Sequence, residues 1–141
     1  MQRFTYPVIL TADEDGGYVV TCRDVPEVVT QGETIEEAIG EAEGALEAAI
    51  EMRMEDGMDI PLPTAKRRGE HLAGLPINTA IKAALYITMR EQNVSKSELA
   101  RRLGLDEKEA RRMLDPRHGT KVPALERALH ALGKRVELMV V

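Results

Sequence analysis

Residues 95–115 of the chain read SKSELARRLGLDEKEARRMLD. This stretch contains two helix-start signals, at Ser95 and at Asp106, each followed three positions later by a glutamate, as in a capping box. Gly104 lies between them, at a position where a glycine typically ends a helix. The segment therefore predicts two short helices joined by a turn of about three residues, which is the arrangement of a helix-turn-helix.

The outward side of the second predicted helix is basic, and this pattern favours contact with DNA. Lys108 and Arg112 are the candidates for hydrogen bonds to guanine edges in a major groove. Phosphate contacts are expected from the start of the first helix, from the second helix and from the loop that follows: Ser95, Lys96, Arg111, Arg117 and Lys121. The alternative is a helical packing unit whose basic face is only solvated.

The chain around this segment predicts two more helices and a terminal strand. Apolar spacing indicates a helix over 78–92, and Pro123 favours the first turn of another helix, which ends at Gly133. Alternating apolar residues then predict a last strand: Val136, Leu138 and Val140. Because an unpaired apolar edge invites association, this strand is predicted to join chains in a homodimer or higher oligomer. The alternative is that it pairs within its own chain.

The N-terminal part of the chain has the period of strands. Alternation of apolar residues predicts strands over 4–10, 18–22 and 28–31, with a hairpin loop at Asp13–Gly17. Pro7 cannot donate a hydrogen bond to a neighbouring strand. The first strand is therefore expected at a sheet edge or at a bulge.

A long helix follows these strands and completes the predicted architecture. Thr34 with Glu37 forms a capping box that starts a helix reaching about Asp56, and residues 70–75 are a possible fourth strand. Strands and one helix followed by a run of helices indicate an α+β protein with two domains. We place the domains at 1–76 and 77–141.

Charge divides unevenly between the two parts of the chain. Residues 1–70 contain 16 acidic and 6 basic side chains, whereas residues 71–141 contain 8 and 13. The basic part favours a nucleic-acid partner and the acidic part a positively charged one. Glutamates recur at i,i+4 spacing along the long helix: Glu43, Glu47, Glu51 and Glu55. The alternative is that this row is a solvated face without a partner.

The residues that carry chemistry in enzymes form no catalytic pattern here, and we predict no enzymatic activity, cofactor or metal. Asp24 stands alone at a strand end, and three histidines, at positions 71, 118 and 130, have no metal-ligand spacing. The sequence has no nucleophile–base pair and no glycine-rich phosphate loop. Cys22 alternates with apolar strand residues and is expected to be a small core hydrophobe.

Composition also bears on the compartment. No apolar run approaches the roughly 20 residues that a membrane-spanning helix needs, and the start of the chain lacks a signal-peptide pattern. The single cysteine excludes an intramolecular disulfide and fits a reducing environment. We expect a soluble, cytoplasmic protein without a membrane partner.

The stretch GGYVVTCRDVPEVVTQGETIEEAIGEA, residues 16–42, resembles the signature of HicB-type antitoxins of bacterial and archaeal toxin–antitoxin pairs. The shared features are the Gly-Tyr strand start and four short motifs: Asp24-x-Pro26, Thr30-x-Gly32-x-Thr34, Glu37-Ala38 and Ile60-Pro61-x-Pro63. The resemblance extends over the whole chain, since one branch of the family ends in a helix-turn-helix of the Cro/repressor type.

The resemblance implies a fold and two partners. The N-terminal domain would be a partial RNase H-like fold that neutralises a small basic HicA-type mRNA-cleaving toxin. The C-terminal domain would bind operator DNA and repress the operon. The surface that we expect to meet the toxin is the acidic helix face with the hairpin loop: Asp13, Asp15, Glu43, Glu47 and Glu51. The alternative is a stand-alone transcription regulator whose N-terminal domain senses a small molecule or only dimerises.

Overall fold

A computed structural model describes residues 2–141. Within these residues the chain forms one four-stranded antiparallel sheet and five α-helices, which confirms the predicted α+β class. The elements are β1 (Thr5–Ala12), β2 (Tyr18–Thr21), β3 (Val29–Gly32), α1 (Ile35–Glu55), β4 (His71–Gly74), α2 (Ile77–Gln92), α3 (Lys96–Leu103), α4 (Glu107–Leu114) and α5 (Val122–Ala131).

The chain divides into two compact units. The N-terminal unit runs up to Arg53 and continues from Ile60 to Pro76. The C-terminal unit comprises Met54–Asp59 and Ile77–Val141, so the last two residues of α1 and those directly after it group with the helices.

The sheet of the N-terminal unit has the strand order β3-β2-β1-β4. The expectation that Pro7 places β1 at an edge is wrong, because β1 is an inner strand. Thr5–Val8 pair with β4, whereas Ile9–Ala12 pair with β2. The Pro7 carbonyl accepts a hydrogen bond from Cys22 Sγ at 3.5 Å, so it faces the side of β1 on which β2 lies. The nitrogen and the carbonyl of one strand residue face the same side, and the Pro7 nitrogen therefore also faces away from β4. Since β2 ends at Thr21, before it reaches Pro7, the missing N–H of the proline costs no hydrogen bond to either neighbouring strand.

One face of this sheet is covered by α1. The buried residues of the helix recur three to four positions apart, at Ala38, Ala42, Leu46, Ala49 and Ile50. Among the fully buried strand side chains, Tyr6 and Val8 come from β1 and Val20 from β2. Since α1 is the one helix that the structure describes in this unit, its apolar stripe packs on that sheet face.

The connection from β3 to α1 depends on a glycine. A Cβ atom on Gly32 would lie 2.4 Å from the backbone nitrogen of Ala38. No side chain fits at that distance. Thr34 then begins the helix, because its Oγ1 accepts from the backbone N–H of Glu37 at 3.1 Å. The predicted start of α1 is confirmed.

Residues 64–69, after α1, are exposed, but the segment is anchored. Tyr6 donates its hydroxyl to the Pro61 carbonyl at 2.7 Å. The Asp24 carboxylate accepts from the backbone N–H of Thr64 at 2.9 Å, and Arg23 bonds to Glu70 through two nitrogens at 2.9 and 3.0 Å. These contacts hold the return of the chain to β4.

The C-terminal unit is a helical domain with its own aliphatic and methionine core. The largest members of that core come from all four of its helices, among them Leu85, Leu99, Met113 and Leu125. Both predicted helix starts are confirmed: Ser95 Oγ accepts from Glu98 N at 3.1 Å and Asp106 Oδ1 from Glu109 N at 2.8 Å. Gly104 ends α3 with φ of 66°, the left-handed conformation that glycine adopts without strain.

The predicted terminal strand is absent: residues 134–141 form no strand in the described structure. A strand needs a hydrogen-bonded neighbour, and this segment has none within the described chain. Val136 is half-buried against the helical core. Leu138 and Val140 remain 77% and 88% exposed. The alternative of pairing within the chain is therefore excluded for the described residues.

Candidate functional site

The turn between α3 and α4 is braced by short contacts. Leu105 donates its backbone N–H to the Ala100 carbonyl at 2.9 Å. Ser97 on α3 donates its hydroxyl to the Glu107 carboxylate on α4 at 2.6 Å. Ala100 and Ala110, the small residues of the pair, are both buried. The two helices are thus joined by this cross-helix hydrogen bond and by alanines buried in the same core.

The exposed side of α4 is basic toward its C-terminal end. Lys108 is exposed and has no ion-pair partner among the described residues. Arg111 lies 3.6 Å from Glu107, one turn earlier. The Glu107 carboxylate therefore interacts with both Ser97 and Arg111, so that its negative charge is partly compensated.

Apart from Arg117, the residues predicted to contact DNA are these, all of them exposed and in the C-terminal unit: Ser95, Lys96, Lys108, Arg111, Arg112 and Lys121. They come from three short segments: the start of α3, the helix α4, and the residue that precedes α5. Lys121 is the N-terminal cap residue of α5, although its side chain makes no capping bond.

Lys82 is a residue of this region that sequence analysis missed. It lies on α2, is only 3% exposed, and donates to the carbonyls of Arg112, Asp115 and His118. A buried ammonium requires such acceptors, and carbonyls at the end of a helix carry partial negative charge. Lys82 thereby fixes the end of α4 and the loop that follows. The feature of the sequence that could have indicated this role is the position of a lysine within an apolar helix stripe, between Ile81 and Leu85.

Arg117, which we expected to contact phosphate, has an acidic partner. Its Nε lies 2.9 Å from Glu55 Oε1, within the C-terminal unit. The neighbouring Asp59 is paired with Arg90 at 2.8 Å, and Tyr86 donates its hydroxyl to the Met58 carbonyl at 2.7 Å. These bonds explain why Met54–Asp59 groups with the helices.

The predicted acidic surface lies in the N-terminal unit. Asp13 and Asp15 are exposed on the β1–β2 hairpin, where Asp13 Oδ1 accepts from the Asp15 backbone N–H at 3.2 Å. Glu43 is exposed on α1. Glu47 and Glu51 are half-buried, and each already interacts with another group of the protein. The hairpin and Glu43 are therefore the more available part of this surface.

A second cluster, Arg23, Asp24, Thr64 and Glu70, is structural in character. The Arg23 guanidinium and the Arg67 backbone N–H lower the pKa of Glu70 to about 2. Asp24 lies 3.6 Å from Arg23 and also accepts from Thr64. The charges of both carboxylates are thus compensated. Among the described residues no group of His, Cys, Asp and Glu could hold a metal ion.

Cys22 is buried, as predicted, and burial raises the pKa of its thiol. The neutral thiol is a poor nucleophile. The structure offers two separate candidate surfaces instead: a basic helix pair in the C-terminal unit and an acidic surface in the N-terminal unit.

Comparison with known proteins identifies the chain. Residues 5–84, more than half of it, match the family described as the HicB_like antitoxin of bacterial toxin-antitoxin system. This chain belongs to the HicB-like antitoxin family. The resemblance stated from residues 16–42 is thereby confirmed.

Relatives of this antitoxin match it over nearly its full length. The Antitoxin HicB of Escherichia coli (strain K12) is 39% identical over 136 residues, which is 96% of this chain and 99% of the relative. Antitoxin HicB 1 of Photorhabdus laumondii is 35% identical over 99% of this chain and 89% of its own. The Antitoxin HicB of Pseudomonas fluorescens is 38% identical over 91% and 88%.

The role in a toxin–antitoxin system agrees with the prediction of a protein that is not an enzyme, since these relatives are named antitoxins. An antitoxin has a toxin as its partner. No helix in residues 2–141 is long and apolar enough to cross a membrane.

The signature residues of this antitoxin have structural roles. Gly32 allows the close approach of α1, Thr34 caps that helix, and Asp24 holds Thr64. Pro61 accepts the Tyr6 hydroxyl. The residues that carry the family resemblance therefore stabilise the fold. For this reason they do not identify the residues that contact a toxin.

Proposed function

We propose that this antitoxin neutralises a small basic HicA-type mRNA-cleaving toxin and represses its own operon by sequence-specific DNA binding in the cytoplasm. The observation that supports both roles in one chain is the pairing of an acidic N-terminal unit with a C-terminal unit that exposes a basic, doubly capped helix pair. Membership of the antitoxin family disfavours the alternative of a stand-alone regulator.

Each role is assigned to one domain. Residues 1–76 would be the partial RNase H-like, toxin-neutralising domain, a role with which an antiparallel sheet covered by one helix is compatible. Residues 77–141 would be a helix-turn-helix domain of the Cro/repressor type for DNA binding and dimerisation. The caps of α3 and α4, the left-handed Gly104 and the buried alanines support this assignment.

In the DNA complex α4 would enter the major groove. Lys108 is suited to a guanine edge, because it is exposed, unpaired among the described residues and close to the helix start. Ser95, Lys96, Arg111 and Lys121 would position the domain through phosphate contacts.

The domain would act as a homodimer or higher oligomer. One helix-turn-helix buries little surface, and two copies on half-sites provide useful affinity and specificity. The terminal segment Val136, Leu138 and Val140 supports this proposal, since it is apolar, largely exposed and without a strand partner in the described chain. A second chain would supply the hydrogen bonds that a strand requires.

The toxin would bind the acidic surface. Asp13 and Asp15 on the hairpin and Glu43 on α1 are exposed carboxylates. Glu47 and Glu51 continue the same helix row and would join the contact by releasing their present interactions. Complementary charge would speed association with a basic partner, and the rate should fall as salt rises.

Co-expression tests the toxin role. A tagged copy of the antitoxin is expected to retain a small basic protein encoded next to its own gene and to relieve that protein's toxicity. The Lys108→Ala variant should retain and neutralise it equally well, because Lys108 lies in the DNA-binding domain. An antitoxin that neither retains the neighbour nor restores growth would refute the proposal.

DNA binding is tested with the same variant. Lys108→Ala is expected to weaken binding to a duplex from the upstream region of the gene by roughly tenfold, since a good base contact contributes about 1–3 kcal/mol of discrimination. Fluorescence anisotropy at fixed salt measures the change. Unaltered operator affinity in this variant would show that another face of the domain reads the bases.

A further inference from the structure

The arginines of the C-terminal unit differ in whether they have an acidic partner. Most lie within 3.6 Å of a carboxylate oxygen: Arg90, Arg101, Arg102, Arg111, Arg117 and Arg135. The remaining two, Arg112 and Arg127, have neither a carboxylate nor any other partner for their guanidinium groups among the described residues. Both are exposed.

These two arginines line the same groove. It has a volume of about 250 Å³, and it lies between α4, the loop after α4 and α5. Its apolar part consists of Leu105 and Met113, and its polar part of the two arginines with Glu109, His118 and Thr120. The groove therefore combines two unpaired positive charges with a single carboxylate.

One wall of the groove is held rigidly. Lys82 fixes the loop through its bonds to the Asp115 and His118 carbonyls. Thr120 donates its hydroxyl to the Arg112 carbonyl at 3.2 Å, and its Oγ1 lies 3.1 Å from His118 Nδ1. The groove is thus shaped before any ligand arrives, so that binding loses less conformational entropy.

We propose that this groove binds a phosphodiester of the DNA backbone, with Arg112 and Arg127 as the contacting residues. Two like charges that share a groove repel each other, and a bound anion removes that repulsion. A guanidinium matches the oxygens of a phosphate with two parallel hydrogen bonds. Arg112 would thereby contact the backbone instead of a base, and Arg127 is a contact that the sequence did not indicate.

DNA is the phosphate source that the position of the groove favours. One of its walls is α4, the helix that would lie in the major groove, and a phosphate strand borders that groove on either side. This inference rests on the proposed DNA binding. It adds to that proposal a contact with the DNA backbone, which does not distinguish one base sequence from another.

The test compares Arg127→Gln with Arg101→Gln, which removes the same charge from an exposed but paired arginine. Affinity is measured by fluorescence anisotropy for an operator duplex and for a scrambled duplex over a range of salt. Arg127→Gln is expected to weaken binding to both duplexes by about the same factor, roughly fivefold to twentyfold. It should also reduce the salt slope by about 0.9, as loss of one phosphate contact does.

The control variant should change either affinity by less than about twofold, as expected for an exposed, paired charge. The inference is overturned if Arg127→Gln behaves like Arg101→Gln. It is also overturned if only operator binding weakens, because that pattern belongs to a base contact.

Titration with inorganic phosphate separates failure of the groove from failure of the proposed function. If the wild-type protein binds no duplex at all, repression is wrong and the groove does not hold DNA. Phosphate-dependent shifts of the Arg112 and Arg127 Nε–H resonances would then show a site for a free anion. Absence of such shifts in a protein that binds DNA normally would count against the groove itself.

Discussion

The stability of the N-terminal unit depends on a few individual residues that no other residue type can replace without a loss. Gly32 is one, because the backbone of α1 occupies the space where a side chain would be. Glu70 is another, because its carboxylate accepts bonds from Arg23 and from the Arg67 backbone. Each position predicts a measurable change in stability.

Gly32→Ala should lower the free energy of unfolding by about 1–3 kcal/mol, since the new Cβ would force the backbone of α1 away. The matched control is Gly40→Ala, on the exposed side of α1 with no atom within 4 Å of the new Cβ. That change should stabilise the protein by up to about 1 kcal/mol. Urea denaturation measures both, and equal effects would refute the steric explanation.

The depressed pKa of Glu70 predicts loss of stability in acid. A carboxyl whose folded-state pKa is about 2, below its ordinary value of 4.5, stabilises the fold above pH 4.5, and this contribution disappears as pH falls from 4.5 toward 2. Glu70→Gln should weaken the pH dependence of the unfolding free energy in that window. Glu43→Gln, an exposed change on α1, should leave it unaltered. Identical pH profiles for the Glu70 variant and the wild type would contradict this assignment.

At the scale of the element, sequence periodicity predicted α1 and the helices of the C-terminal unit to within a few residues. The reason is that caps and apolar spacing are local properties, as at Ser95 and Asp106. The prediction that β1 lies at a sheet edge was wrong, because the strands that pair with it come from other segments of the chain. The role of Lys82 was missed for the same reason: its carbonyl partners lie 30 to 36 residues further along the chain.

Lys82→Met should loosen the loop after α4, because it leaves three backbone carbonyls without their shared donor. We expect a loss of about 1–3 kcal/mol in stability and faster amide hydrogen exchange over residues 115–121. Lys134→Met, an exposed change in the same unit, is the control. Unchanged exchange in the loop would show that Lys82 is not its anchor.

For the molecule as a whole, the two units differ in charge and in the partner that we propose for each. The basic unit exposes α4, and the acidic unit exposes the hairpin. In the terminal segment, Leu138 and Val140 are exposed without a neighbouring strand in the described residues.

If that segment pairs two chains as a strand, the side on which a charge is introduced should matter. Leu138→Lys should shift the protein toward monomer in light scattering, whereas Met139→Lys, one residue on and facing the other side of a strand, should leave the dimer intact. Deletion of residues 135–141 should give a monomer. A dimer that survives the deletion would place the interface elsewhere.

Capping boxes, apolar periods and short motifs lie in neighbouring residues, so the sequence was enough to predict the helices, the strands of the sheet, the α+β class and the family, although not the absence of the terminal strand. The inner position of β1, the anchoring by Lys82 and the unpaired arginines beside one groove were visible only in the folded chain. Those features arise when residues far apart in the chain come together. The free energy that each such contact contributes depends on how deeply its groups are buried and on which charges are paired. Neither can be deduced from residues that are neighbours in the sequence.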